Sequence, residues 1–188
     1  MSCRIPQRLG AVLCLCGLCG GFIFATQAPA VWLDVPFIKQ EKEGCGAASI
    51  AMVIQYWQKQ MGREDAGPDA AAIQRELYSS QAHGIHASDM ERYFQQNGFQ
   101  TFTFAGTWED LRLHVGKGRP LIAALKPSPG ESALHYVVVV GVDPEQSVVL
   151  LNDAAQRKLL KEDRGTFEKE WSAVKHWTLL AVPRSQKQ

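Results

Sequence analysis

Cys45 is the residue from which chemistry can first be argued. The chain has five cysteines, and the other four (Cys3, Cys14, Cys16, Cys19) lie near its N-terminus. Cys45 therefore has no disulfide partner in the rest of the chain and joins no cysteine cluster that would hold a metal. It opens an apolar run, CGAASIAMVIQYW, in which Ile50, Val53, Ile54 and Trp57 recur at helical spacing. A thiol at a helix start meets N–H groups without intrahelical partners and the positive end of the macrodipole. Both favour thiolate, the nucleophilic form. Gly46, Ala47 and Ala48 are expected to leave room above the sulfur for a carbonyl. The bland alternative is a small buried hydrophobe.

A thiol nucleophile needs a base, and the base needs an orienting group. His83 and His86 fall in a loop, His114 on an amphipathic helix, and His176 just before the last strand. Those four read as surface or boundary histidines. His135 opens HYVVVVGV, the most hydrophobic strand, after a Pro/Gly/Ser-rich loop. A strand end at a loop mouth holds a side chain rigidly and leaves it accessible. The turn Asp143–Gln146 sends the chain back, so the end of the returning strand, Asn152-Asp153, comes beside His135. Either side chain can accept the other imidazole N–H and fix the tautomer. Successive strand residues face opposite ways, so only one of the two should face His135. For an oxyanion, the Cys45 backbone N–H and the side-chain amide of Gln40 are the candidate donors.

The elements that must position these residues follow from the pattern. Val31–Lys39 reads as an extended lead-in and Gln40–Gly44 as a polar turn. The apolar helix from Cys45 is buried on most sides. After a breaker-rich loop, Met61–Asp69, Ala70–Tyr78 looks helical. Ser88 with Glu91 makes a capping-box pattern for a helix through Gln96. Phe99–Phe104 alternates as a strand. Thr107 with Asp110 starts a helix that ends near Gly116. Pro120–Leu125, His135–Val142, Ser147–Leu151 and Trp177–Val182 read as strands, and Thr166–Val174 as a short helix. Helices first and then mostly antiparallel sheet is an α+β layout, not alternating β-α units.

The formal charge is +1, with 20 Lys plus Arg against 19 Asp plus Glu. That balance gives no electrostatic footprint for nucleic acid or an anionic membrane surface. Met1–Arg8 is basic, Leu9–Ala25 is apolar or glycine throughout, and small-residue sites follow at Ala28 and Ala30. Residues 1–30 therefore read as a secretory signal peptide, with an uncleaved anchor over residues 9–25 as the alternative. The remainder, 31–188, reads as one domain in an exported, periplasmic or extracellular protein, touching a membrane only through its N-terminal segment.

VPFIKQEKEGCGAASIAMV is similar to the Q-x4-CG-x-A-(S/A) opening of the bacteriocin-processing cysteine peptidases, cysteine peptidase family 39. HYVVVVGVD followed by LND-A resembles that family's histidine and aspartate strands. The likeness runs in order along the whole chain after residue 30. It implies a papain-like fold, with Cys45 as nucleophile, His135 as general base and acid, Asp153 as the orienting acid and Gln40 in the oxyanion hole. It implies a peptide or protein substrate and no metal or other cofactor. Two departures stand out. The family commonly has Asp-Cys-Gly-Pro where this chain has Gly44-Cys45-Gly46-Ala47, and Asp-Pro where it has Asp153-Ala154. Many relatives are parts of export transporters, but this sequence has no G-x4-GK-(S/T) and no set of membrane spans, so a stand-alone exported peptidase is expected. The same constellation would serve a thiol amidase or acyltransferase acting on cell-wall or peptide amides, or a peptide-binding module without turnover.

Overall fold

A computed structural model describes residues 30–63, 67–127 and 134–184. The expected signal or anchor segment, apart from Ala30, lies outside the described residues.

Helix α1, Cys45–Gln60, is buried without a break from Cys45 through Ile54, as its alanine-rich first half requires. Helix α2, Ala70–Leu77, is capped by Asp69, whose carboxylate accepts the Ala71 N–H at 3.1 Å. Helix α3 spans Ala87–Gln96. Ser88 is not its cap. His86 holds that position with extended backbone, and the Asp89 and Met90 N–H groups go to the His86 carbonyl. Ile85, buried beside Gly46, fixes where the chain turns into the helix and so moves the start ahead of Ser88. Strand β2, Phe99–Ala105, follows, then α4, Trp108–Gly116, with the expected Thr107–Asp110 capping box.

The remaining strands are β3 (Leu121–Leu125), β4 (His135–Asp143), β5 (Val148–Asn152), β6 (Leu160–Asp163) and β7 (Trp177–Pro183). A two-residue strand β1, Val31–Trp32, is all that pairs of the expected extended lead-in. The sheet order is β2-β7-β3-β4-β5-β6, with β1 also on β4, and every named pairing is antiparallel. Strand β6 was not anticipated, because LKED is a short edge strand with only Leu160 buried. Helix α5 runs Arg164–Ser172, earlier than the expected Thr166–Val174. Asp163 accepts the Gly165 and Thr166 N–H groups and starts it there.

The sheet has a core on each face. On one, α1 and α3 set Ile50, Val53, Met90 and Phe94 against Tyr136, Val138 and Val140. On the other, α4 and α5 set Leu111, Val115, Phe167 and Trp171 against Val137, Val139 and Leu151. Strand β4 is thus buried on both sides, which accounts for its unbroken apolar sequence.

The β4–β5 pair carries one irregularity that matters for function. Asp143 opposes Val148 and Gly141 opposes Leu150, but Val139 opposes Leu151 and Val138 opposes Asn152. Val140 is the extra residue of a bulge, and its carbonyl accepts the Leu33 N–H at 2.7 Å instead. Continuing the hairpin without the bulge would put Asn152 opposite Val139, on the face that His135 shares with Val137 and Val139. The one-residue shift puts Asp153 on that face.

Candidate active site

The site forms where the first turn of α1 meets the start of β4 and the end of β5. Cys45 is the first residue of α1, is 9% exposed and forms no disulfide. Its Sγ lies 3.9 Å from the Leu134 carbonyl, at the edge of the range for a thiol hydrogen bond. Gly44, at the N-cap, supplies no side-chain cap, so the first N–H groups of the helix have no side chain competing for them. Gly44 must be small. A Cβ there would lie 3.0 Å from the Glu41 carbonyl and 3.5 Å from Cβ of Gln40.

His135 begins β4, and its Nε2 sits 2.9 Å from Oδ1 of Asp153. The Cys45 sulfur lies near enough to the imidazole to act on its charge state. Nε2 is committed to the carboxylate, which leaves Nδ1 without a partner on Asp153. Burial of His135 works against its charged form, but the hydrogen bonds and charges of Asp153 and Cys45 prevail, and its pKa is pushed up to about 10. Asp153 is 3% exposed. Burial works against its carboxylate too. The bond and charge of His135, then the Ala155 N–H at 2.9 Å and the Gln156 amide on Oδ2 at 2.7 Å, hold its pKa below the usual carboxylate value.

The bulge resolves the choice between Asn152 and Asp153. Asn152 is fully buried and bonds elsewhere. Its Nδ2 donates to the carbonyls of Val35 and Pro36, and its Oδ1 accepts the Leu159 N–H. It ties the lead-in to the β5–β6 connection.

Gln40 arrives on that lead-in. Its N–H donates to the Ala154 carbonyl at 3.0 Å, so the chain directly after Asp153 positions the residue expected to assist at Cys45. Gln40 lines a cavity of about 130 Å³ together with Gly44, Ala47 and Gln74, and its Oε1 is buried with no hydrogen-bond partner among the described residues. The turn between Gln40 and Cys45 is braced from α2. The Gln74 amide donates to the Glu43 carbonyl at 3.2 Å, and the Tyr78 hydroxyl donates to the Glu43 carboxylate at 2.5 Å. That bracing holds Glu43 at φ 56°.

Cys45, His135 and Asp153, distant in sequence, are thus set around the start of α1, and Gln40 lies beside Gly44 against a cavity that Cys45 does not line. One expectation fails: the space at Gly46 is not open. Ile85 fills it, and a Cβ at Gly46 would lie 3.1 Å from that of Ile85. Access to the sulfur runs instead through a cavity of about 350 Å³ lined by Cys45, Gly84, Ile85, Leu134 and Tyr136. Burial, reinforced by charge at Cys45, pushes the Tyr136 phenol up. Tyr136, Gln156 and the Ser79–Ala87 wall escaped the sequence reading. The signals present were the position of Tyr136 next to His135 and of Gln156 three residues after Asp153. Among the described residues, no group of three or more His, Cys, Asp or Glu side chains is arranged to hold a metal ion.

Comparison with known proteins bears on this arrangement. The fold is similar to that of a C39-like peptidase from Bacillus anthracis, at 20% identity and TM-score 0.60, covering 85% of this chain and all of that one. It is similar to a double glycine motif protease from an AMS/PCAT transporter, solved with its leader peptide, at 21% identity and TM-score 0.60, covering 84% of this chain and 100% of that one. Xylellain, a cysteine protease from Xylella fastidiosa, shares 13% identity at TM-score 0.62, covering 84% and 87%. A search of curated proteins finds no match. The fold is therefore the mixed α+β, papain-like one that the resemblance implied. Residues 32–178 match the model of the Peptidase_C39 like family, and the chain belongs to that family.

Proposed function

We propose that this protein is a stand-alone exported cysteine peptidase that hydrolyses peptide bonds through Cys45, His135 and Asp153. The observation that carries the reading is a buried carboxylate 2.9 Å from an imidazole that lies next to a thiol at a helix start.

The chemistry begins with a proton transfer. His135, steadied by Asp153, takes the Cys45 proton, and the sulfur attacks as thiolate. Sγ attacks the carbonyl carbon of a peptide bond. The carbonyl oxygen becomes an oxyanion and is met by the Cys45 N–H, with Gln40 assisting. As the intermediate collapses the C–N bond breaks, and His135 gives its proton to the departing amine. A thioester remains on Cys45. Water then attacks that carbonyl, His135 takes a proton from it, the C–S bond breaks, and a carboxylic acid leaves. The proton on His135 and the thiolate on Cys45 are restored. Asp153 keeps Nε2 as the N–H side throughout and steadies the imidazolium.

The tests are alkylation and cleavage. Iodoacetamide should label Cys45 faster than an ordinary exposed thiol, and His135→Ala should slow labelling by at least about tenfold. The intact protein should cut members of a peptide mixture, and Cys45→Ser should not. Equal labelling rates in the two proteins would end the reading. Export rests on residues 1–25, with a basic start and an apolar stretch. Fractionation of cells producing the full chain should place it outside the cytoplasm, and a wholly cytoplasmic pool would refute that part.

A further inference from the structure

We infer that the cavity beside Cys45 is a substrate subsite for a large apolar side chain within two residues of the scissile bond. The inference rests on the cysteine-peptidase reading and deepens it.

The cavity has two walls. One wall is a two-ended bridge between Ser79 and Gly84, with N–H to carbonyl distances of 2.8 and 3.3 Å, and Ser79 Oγ also accepts the Ala82 N–H at 3.3 Å. The next residue, Ile85, is 3% exposed and wedged on Gly46, so this wall is fixed to the residue after the nucleophile. The opposite wall is Leu134 and Tyr136, the neighbours of His135. Both walls are therefore tied to reacting groups, and a side chain held between them would set the register of the bound chain.

Its size and chemistry name the occupant. At about 350 Å³ it lies in the range of clefts that enclose small organic groups. Apart from Cys45 itself, Gly84, and His86 at the exposed rim, whose Nε2 is paired with Ser79 Oγ at 3.1 Å, the lining is aliphatic or aromatic. Gly84 and Ala87 keep it open. A Cβ on Gly84 would find no atom nearer than the Glu43 carbonyl oxygen at 3.8 Å. A substrate glycine would leave this space without contacts, whereas a leucine, methionine or phenylalanine would fill it. A structural relative is a double glycine motif protease; the open pocket points this chain toward a different choice.

The test is cleavage profiling of the full chain on a proteome-derived peptide mixture, with cut sites read by mass spectrometry. One fixed position within two residues of the cuts should favour leucine, methionine and phenylalanine over glycine by about tenfold or more. Gly84→Leu occupies the pocket without left-handed backbone, and Ala87→Leu does so from the start of α3. Either should move that position toward glycine, alanine or serine. Continued cutting by the variant, abolished by adding Cys45→Ser, shows that the site is still assembled. Cuts that favour glycine, or a profile unmoved in both variants while cutting continues, overturn the pocket assignment alone. No cutting at all by the wild-type protein overturns the peptidase reading and the subsite with it.

Discussion

His135 is held from two sides by unlike partners. Asp153 approaches Nε2 at 2.9 Å from a buried position, and the Cys45 sulfur lies near the ring. Asp153→Asn keeps the shape and removes the charge. It should cut peptide turnover by about 100-fold or more, with little change in KM, because it acts on the state of the imidazole and not on substrate binding. A KM effect alone would mean that Asp153 shapes the groove. Gln156→Ala removes only one donor to that carboxylate and should cost about tenfold. The same pair sets a pH signature. The folded-state pKa of His135 lies above its ordinary value of 6.5, so its pairing stabilises the fold fully below pH 6.5, and this contribution is lost as pH rises toward about 10. Asp153 is shifted the other way. Its contribution is present above 3.8 and is lost as pH falls through its lower folded value. Urea unfolding of wild type and His135→Gln between about pH 6 and about pH 10 should show the wild-type midpoint falling relative to the variant. Parallel curves would deny the charged imidazole. Cys45 and His135 were legible in the sequence because position in an element marks them. Gln156 was not, since a glutamine in a loop is ordinarily solvated.

At the scale of elements, the deciding feature is the extra residue in β4. The turn and the two flanking apolar runs were readable as a hairpin, and so was the return of Asn152-Asp153 toward His135. Which of the two would face the imidazole was not readable. A bulge is a property of pairing, and VVVV has no residue that announces one. Gly141 is the nearest thing to a signal. A Cβ there would come within 2.6 Å of Leu150 and 2.9 Å of Cβ of Trp32, so β1 and β5 close around a residue without a side chain. Gly141→Ala must push one of them away, at about 1–3 kcal/mol. Because the site depends on register here, Cys45 alkylation should slow in Gly141→Ala even at temperatures where the variant stays folded. Unchanged alkylation in a destabilised variant would show that the bulge survives without the close approach. The helix starts were read less well than the helices. At α3 the start is set by the burial of Ile85 and not by the Ser88–Glu91 motif, and at α5 by Asp163, whose carboxylate accepts the Gly165 and Thr166 N–H groups.

At the scale of the whole molecule, the two cores have separate duties. The α1 side positions Cys45, packs Tyr136 beside it and carries the wall that holds Ile85. The α4–α5 side packs on the face of β4 that carries Val137 and Val139, and it contains Trp171, which is fully buried. Trp171 donates its indole N–H to the Trp177 carbonyl at 3.2 Å and packs edge-on against His176 with ring centroids 4.8 Å apart. Gly106 leaves the room it needs, since a Cβ there would lie 2.7 Å from the indole ring. Trp171→Ala should therefore cost about 3–5 kcal/mol of stability. For a domain of this size that lowers Tm by roughly 10 °C. If the far core only supports the sheet, the alkylation rate of Cys45 and the peptide profile should stay within about twofold of wild type well below the new Tm, because β4 is held on its other face by α1. A profile altered in the folded variant would mean instead that the packing of the far layer sets how β4 presents His135, and that the two cores act as one.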